Sequence, residues 1–381
     1  MDYTRILSPI NKVKDLDVNP EGVERRIYNI EKEIKFELPE AYKDMLKSCD
    51  GGRLRSVYVP CKKKDGKVFY HYIDIIYGVL QEFWSIQRAH KQNNELILDN
   101  GFSDFVFDFL TFAYETGQVS KFKEEGALPN YIDSEEPDED QIICFYNDFN
   151  LYIDKLDAII DKLEYSDNRS RNARIVFGYR MIRFFKLSVE FATDDGHGNY
   201  HLYYGEGNIS EPSVWYAYDL DYQYKVAPNF KEFIKTLVVD RRVVCFGISE
   251  INDEICLFIN KLLVSVFNIQ TSVTIDSISD SVINSNKEYS ITPNEKVWIR
   301  VRPNEYNDGS GFNEVLYKDY RFILKVGSSR RDGDKNHIIF KEEYEEKILD
   351  VFKENNFSGL KLLYTLGVHN LLEEIAKSDA K

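Results

Sequence analysis

The stretch from Phe191 to Leu237, FATDDGHGNYHLYYGEGNISEPSVWYAYDLDYQYKVAPNFKEFIKTL, constrains the fold more than any other part of the chain. The turn-prone DDGHGN leads into an aromatic run, a second turn follows, and VWYAY makes another run before a third turn at Asp219 to Asp221. After Pro228 a short amphipathic helix begins. Glycine and Asn accept backbone angles that other residues avoid, and aromatic residues suit a pleated surface, so the order is strand, strand and covering helix.

The acids and imidazoles of DDGHGNYH also invite a metal reading. His197 and His201 are four apart, a spacing that shares a face only in a helix, which Gly196 and Gly198 forbid. The stretch does not fit a calcium loop, because the glycine and glutamate that such a loop needs are misplaced. A hairpin turn at Asp194, Asp195 and Asn199 accounts for the same residues and is the expectation.

Earlier in the chain, NPEGVERRIYNIEKEI predicts a helix with Asn19 as cap and Pro20 at its first position, placing Val23, Ile27, Ile30 and Ile34 on one face. After a break at Lys35 to Glu37, Pro39 suits the first turn of a second helix. Tyr42, Met45, Leu46 and Cys49 form its apolar face before Asp50, Gly51 and Gly52 stop it. The pattern IEKEIKFELPEAYKDMLKSCDGG resembles the opening of the SUKH superfamily. FATDDGHGNYHLYY with SVWYAYD and VAPNFKEFIKTL is similar to that family's closing strands and final helix, in the same order.

The resemblance implies an α+β fold: a SUKH-like mixed sheet packed with helices in residues 1–238, with matched segments at about 19–60 and 186–238. A mostly helical insertion is expected at about 80–175. It follows the strand candidates around KKKDGK and carries helical patterns at Leu80–Lys91, Phe102–Tyr114 and Asn150–Glu164. DSEEPDED at 133–140 reads as a solvated loop, either merely soluble or a partner-facing acidic edge. SDNRSRNAR at 166–174 reads as a basic, turn-prone linker. Residues 239–381 make a second α+β domain of no recognised family. VVCFGI, SVTID, KVWIRVRP and DYRFILKV are its strand candidates. Ser249 is a candidate cap for a helix with an Ile255, Phe258, Ile259, Leu262, Leu263, Val266 stripe, and EEYEEKILDVFKEN and Ser358–Lys377 are two closing helices.

Composition narrows the function. A net charge of −15 argues against a surface that binds nucleic acid by neutralising phosphates, and favours a basic partner. The N-terminus shows no secretory pattern and no apolar run is long enough to span a bilayer, so a cytoplasmic protein without membrane attachment is expected. Five scattered cysteines without a CxxC pair indicate neither a disulfide framework nor a zinc site. Phosphate-binding glycine motifs, a GxSxG elbow and HExxH are all absent from the sequence, so no enzyme, cofactor or metal is expected.

SUKH proteins are chiefly bacterial immunity proteins that bind and neutralise a cognate toxin, frequently a nuclease, with fungal relatives that regulate cell-wall assembly. The resemblance therefore implies a non-catalytic immunity protein whose partner is a protein toxin, with a regulatory scaffold as the alternative. The expected contact surface is the outward half of the sheet aromatics, drawn from Tyr200, Tyr203, Tyr204, Trp215, Tyr216 and Tyr218, beside Asp219 and Asp221. The acids Asp133, Glu135, Glu136, Asp138, Glu139 and Asp140 of the insertion complete it. Cross-strand pairing that merely stabilises the sheet is the other reading of those aromatics.

Overall fold

The computed structural model describes residues 7, 20–62, 66–79, 85–163, 170–194, 196, 198–218, 222–278, 287–292, 295–303, 320–332, 335–338, 342–355, 357–373 and 376. Its elements begin with α1 (Pro20–Ile34), α2 (Glu40–Cys49), β1 (Gly52–Lys62) and β2 (Val68–Ile76). Helices α3 (Ile86–Ile97), α4 (Ser103–Glu115), α5 (Val119–Glu124), α6 (Glu139–Asp148), α7 (Ile153–Ile160) and α8 (Arg171–Lys186) follow. Then come β3 (Ser188–Thr193), β4 (Gly198–Tyr203), β5 (Ser213–Tyr218), β6 (Tyr222–Ala227), α9 (Phe230–Thr236), β7 (Val238–Arg241), β8 (Val244–Ile248) and α10 (Asp253–Lys261). The chain closes with β9 (Lys287–Thr292), β10 (Glu295–Pro303), β11 (Phe322–Asp332), β12 (Lys335–Ile338), α11 (Glu342–Asn355), β13 (Leu360–Tyr364) and β14 (Gly367–Asn370).

The architecture is α+β and divides into two compact units. One comprises Pro9–Arg53 with Asp74–Ile234; the other comprises Met1–Ser8, Leu54–Ile73 and Lys235–Lys381. The division near Ile234 lies beside the sequence boundary at 238, while Leu54–Ile73 groups with the C-terminal residues.

In the first unit the expected helix pair forms as its spacing requires. Val23, Ile27, Ile30 and Ile34 are buried along α1, and Tyr42, Met45 and Leu46 along α2. Pro39 is the N-cap of α2 rather than its first helical residue, and the expected cap Asn19 lies outside the described residues. Asp50 ends α2 in a left-handed conformation (φ 48°), with Gly51 also at positive φ (77°). That turn brings Asp50 Oδ1 to the Val79 amide at 2.6 Å, and the Tyr42 hydroxyl donates to the Tyr77 carbonyl at 2.8 Å, so the helix pair is tied to the chain just beyond β2.

Strands β3, β4, β5 and β6 form an antiparallel meander, and the end of β2 pairs with β3 through Ile75 and Ile76. A bulge between Glu190 and Ala192 interrupts β3. One face carries Phe191, Tyr200 and Tyr216 against Tyr42 of α2 and Phe230 and Phe233 of α9, with ring centroids 4.8–6.5 Å apart. Asn229 caps α9, its Oδ1 accepting from the Glu232 amide at 2.9 Å. The ladders of this sheet are antiparallel wherever their pairing is described, in contrast to the expected mixed sheet.

The stretch expected as an insertion, together with the rest of α8, is a packed helical body, and two of its segments differ from expectation. SDNRSRNAR is a linker only in part, because Ser170 caps α8 by accepting from the Ala173 amide and the helix starts at Arg171. Ser, Asn and Arg read as turn residues, yet a serine just before a helix satisfies its free amides. DSEEPDED is half loop and half helix: Asp138 and Gln141 form a reciprocal cap, and Glu139 opens α6. The core of the body is aromatic, with Phe102, Phe105, Phe109, Phe145, Phe149 and Tyr179 all buried.

In the second unit, β14, β7 and β1 pair antiparallel. A separate sheet runs β13-β8-β11-β10-β9, with β12 on β11. The stripe from Ile255 to Val266 is buried on that sheet as expected, but Asn252 rather than Ser249 caps α10. SVTID is not a strand; Val273 instead bonds through its backbone to the Asn260 side chain. The expected helix Ser358–Lys377 is replaced by β13 and β14, because LKLLY finds an edge on β8 and GVHN one on β7. An apolar run of that length suits either state, and pairing decides it.

Candidate functional site

The aromatic residues expected on the open face of the sheet are largely enclosed. Tyr200 and Tyr216 belong to the face under α2 and α9 and are fully buried. Tyr204 is buried because its ring stacks on Phe36 at 4.4 Å and its hydroxyl donates to the Glu37 carbonyl at 2.7 Å. Tyr203 and Trp215 do lie on the opposite face, as strand alternation predicts, but α8 of the insertion covers that face. Phe184 stacks on Tyr203 with centroids 5.1 Å apart and touches Trp215 at 5.8 Å, and the Arg183 guanidinium donates to the Tyr203 hydroxyl. Only Tyr218, 42% exposed, stays open among the six, while Asp219 and Asp221 lie outside the described residues. An exposed aromatic sheet surface is therefore corrected to one in which Tyr200, Tyr203, Tyr204 and Tyr216 are buried and Trp215 is half-buried.

DDGHGN forms the β3–β4 hairpin turn. Asp194 Oδ1 accepts from the amides of Gly196 at 2.8 Å and Gly198 at 3.0 Å, and its Oδ2 accepts from the Tyr216 hydroxyl at 2.9 Å. A Cβ at Gly198 would collide with that hydroxyl, so the closeness needs glycine there. Asp195 and His197 lie outside the described residues. His201 is buried between Phe184 and Phe185, at centroid distances of 5.3 and 5.4 Å, with Nδ1 3.2 Å from the Ser188 hydroxyl. Burial pushes its pKa down to about 3, so it is neutral in the fold. No group of three or more His, Cys, Asp or Glu among the described residues is placed to hold a metal.

The acidic edge, by contrast, is open. Asp133, Glu135, Glu136, Asp138, Glu139 and Asp140 are all exposed. The loop nevertheless has fixed attachments: the Tyr114 hydroxyl donates to the Asp133 carbonyl at 3.1 Å, the Gln141 amide to the Tyr131 carbonyl at 2.8 Å, and Ser134 to the Glu136 carbonyl at 2.7 Å. Asp140, Cys144 and Asp148 continue it along α6 at a spacing of four, one exposed helical face. Tyr131, 38% exposed, stands beside this face, its hydroxyl pKa raised by partial burial and by nearby Tyr152 and Asp148.

The edge belongs to a larger asymmetry that motif scanning misses and a residue count along the sequence reveals. Between Ile97 and Leu163 there are 16 acidic and 4 basic residues, in a chain of net charge −15. Fourteen of those acids are exposed. The other two, Asp108 and Asp157, meet arginines of α8: Arg174 grips Asp108 with two bonds of 2.8 and 2.9 Å, and Arg183 Nε lies 2.9 Å from Asp157. Arg171 pairs with Glu115. Two of these three arginines, Arg171 and Arg174, come from the stretch read as a linker.

No helix among the described residues is long and apolar enough to cross a membrane. No curated protein and no solved structure matches the chain. Its sequence does match the SMI1 / KNR4 family (SUKH-1) over residues 24–236, which spans the helix pair, the insertion, the meander and α9. With more than half of its length inside that match, and with the helix pair and closing strands joined in one unit, the chain belongs to the SMI1 / KNR4 family (SUKH-1).

Proposed function

We propose that the chain is a non-catalytic immunity protein that binds a basic protein toxin, a nuclease domain being the class that fits best, through the outer surface of its acidic insertion. Family membership supports a toxin-immunity or regulator-like role in general. The observation that carries the finer reading is the concentration of 14 exposed acids, against four basic residues, between Ile97 and Leu163. A negative surface of this kind steers a cationic partner and occupies the site that would otherwise meet phosphate, so inhibition needs no chemistry. The contact surface is proposed at Glu135, Glu136, Glu139 and Asp140, with Tyr131 as an aromatic anchor. A regulatory scaffold is the second reading, favoured by the C-terminal unit with a sheet and core of its own.

The test is co-expression with the toxin-like protein encoded beside this gene. Wild type should protect cells and bind with an affinity that falls steeply with salt. Replacing Glu135, Glu136, Glu139 and Asp140 by their amides should slow association about tenfold or more at low salt, leaving the fold intact. Neighbouring reading frames without a toxin, or an amide variant that protects and binds like wild type, would retire the immunity reading.

A further inference from the structure

A buried carboxyl lies on the α8-facing side of the sheet. Glu190 sits at the bulge of β3 and is 5% exposed. The Tyr77 hydroxyl, just past β2, donates to Oε1 at 2.6 Å, and the Asn93 amide of α3 donates to Oε2 at 2.6 Å. One carboxyl thus joins the chain after β2, the meander and the first helix of the insertion. Thr193, beside Tyr77, donates its hydroxyl to the Gly198 carbonyl at 3.3 Å, at the β3–β4 turn.

The surrounding charges leave the carboxyl uncompensated. His201, directly across the ladder, is neutral. On α3, His90 is depressed by burial and by Lys186, with Glu33 of α1 acting the other way. Lys186 of α8 is lowered to about 8 by burial and lies over the Tyr146 ring at 3.3 Å, and Arg183 is engaged with Asp157. No ion pair to Glu190 occurs among the described residues. Burial accordingly pushes its pKa up to about 7, against the opposing pull of the bonds from Tyr77 and Asn93.

We propose that Glu190 is a protonation-controlled latch: when neutral it holds α3 on the sheet, and when ionised it becomes an unpaired buried charge whose relief is local opening of α3. The sign follows from linkage. The packed state binds the proton more tightly than an opened state with an ordinary carboxyl, so opening becomes easier as pH rises from about 4.5 to about 7 and is level above that. Nothing in this device depends on what the insertion binds.

Hydrogen exchange of the α3 amides in the full chain, corrected for intrinsic exchange, tests it. Protection in wild type should fall roughly tenfold between pH 6 and pH 8, and in Glu190→Gln it should be flat across the same range. Equal pH dependence in the two proteins overturns the latch. If the variant does not fold, carbon NMR titration of the Glu190 carboxyl in wild type decides. A midpoint near 7 that moves upward in Tyr77→Phe supports the latch, and a midpoint at the ordinary glutamate value overturns it.

Discussion

The two faces of the meander are sealed by different means. The face under α2 and α9 is closed by Tyr42, Phe191, Tyr200, Phe230 and Phe233, a ring cluster built from the segments that resemble the family's opening and close. The opposite face mixes Tyr203 and Trp215 with Ser188, Glu190 and His201, and it is closed by α8 of the insertion. A face of packed rings is stabilised mainly by burial, with the Tyr42 and Tyr216 hydroxyls each finding an acceptor. A face with buried polar groups stays closed only while each finds a partner or remains uncharged. The difference teaches that α8 is a cover with conditions attached.

The largest expected effects come from removing one ring from each face. Phe233→Ala and Phe184→Ala each delete a buried aromatic, a change that costs about 3–5 kcal/mol in a core. Phe233→Ala should lower the melting temperature of the whole first unit. Phe184→Ala should first free the insertion, so that limited proteolysis cuts within residues 98–163 before it reaches the strands. Simultaneous cleavage of strands and insertion in Phe184→Ala would show that the two faces are one cooperative seal and would end the distinction.

A smaller effect separates the faces by pH. His201 titrates near 3 in the fold and about 6.5 when unfolded, so the folded state binds fewer protons between those values. Stability should therefore drop as pH falls from about 6.5 toward 3, by up to about 1.4 kcal/mol per unit. Phe233 carries no ionisable group, so Phe233→Ala should keep the same slope. In denaturant titrations at pH 4, 5 and 6 the stability difference between wild type and His201→Phe should change with pH by up to about 1.4 kcal/mol per unit; a difference that stays constant assigns acid sensitivity elsewhere. Glu190 acts in the opposite sense, since its stabilising neutral form is lost as pH rises from about 4.5 to 7. Where the two windows overlap, between about 4.5 and 6.5, the contributions oppose each other, and this cross-strand pair favours a broad optimum there.

Much of this arrangement was legible in the residues. The spacing of Val23, Ile27, Ile30 and Ile34 specified α1, and the glycines of DDGHGN specified a hairpin turn. Period-two alternation accounts for Tyr203 and Trp215 lying on the face opposite Tyr200 and Tyr216. Alternation says which residues share a face, however, and nothing about what covers it. The cover begins at Ser170 in a stretch rich in Ser, Asn and Arg, and its hold depends on Phe184 and on Arg174 and Arg183 finding acids tens of residues away. Ser358–Lys377 failed for the same reason: its apolar run is compatible with a helix until β7 and β8 offer unpaired edges.

The smallest prediction asks whether the acidic edge acts through charge alone. Asp138 is exposed, yet its carboxylate accepts from the Gln141 amide at 2.8 Å while the Gln141 side chain bonds back to the Asp138 amide at 3.2 Å. Asp138→Ala removes this cap and should cost about 1 kcal/mol, read as faster exchange at the start of α6. Asp140→Asn removes the same unit of charge from the first turn of the helix and keeps the cap. If steering is all that matters, the two variants should slow association with a basic partner equally. If the loop must also be held in shape for Tyr131 and Glu135 to meet that partner, Asp138→Ala should in addition speed dissociation, because a partner then has to order the loop on binding.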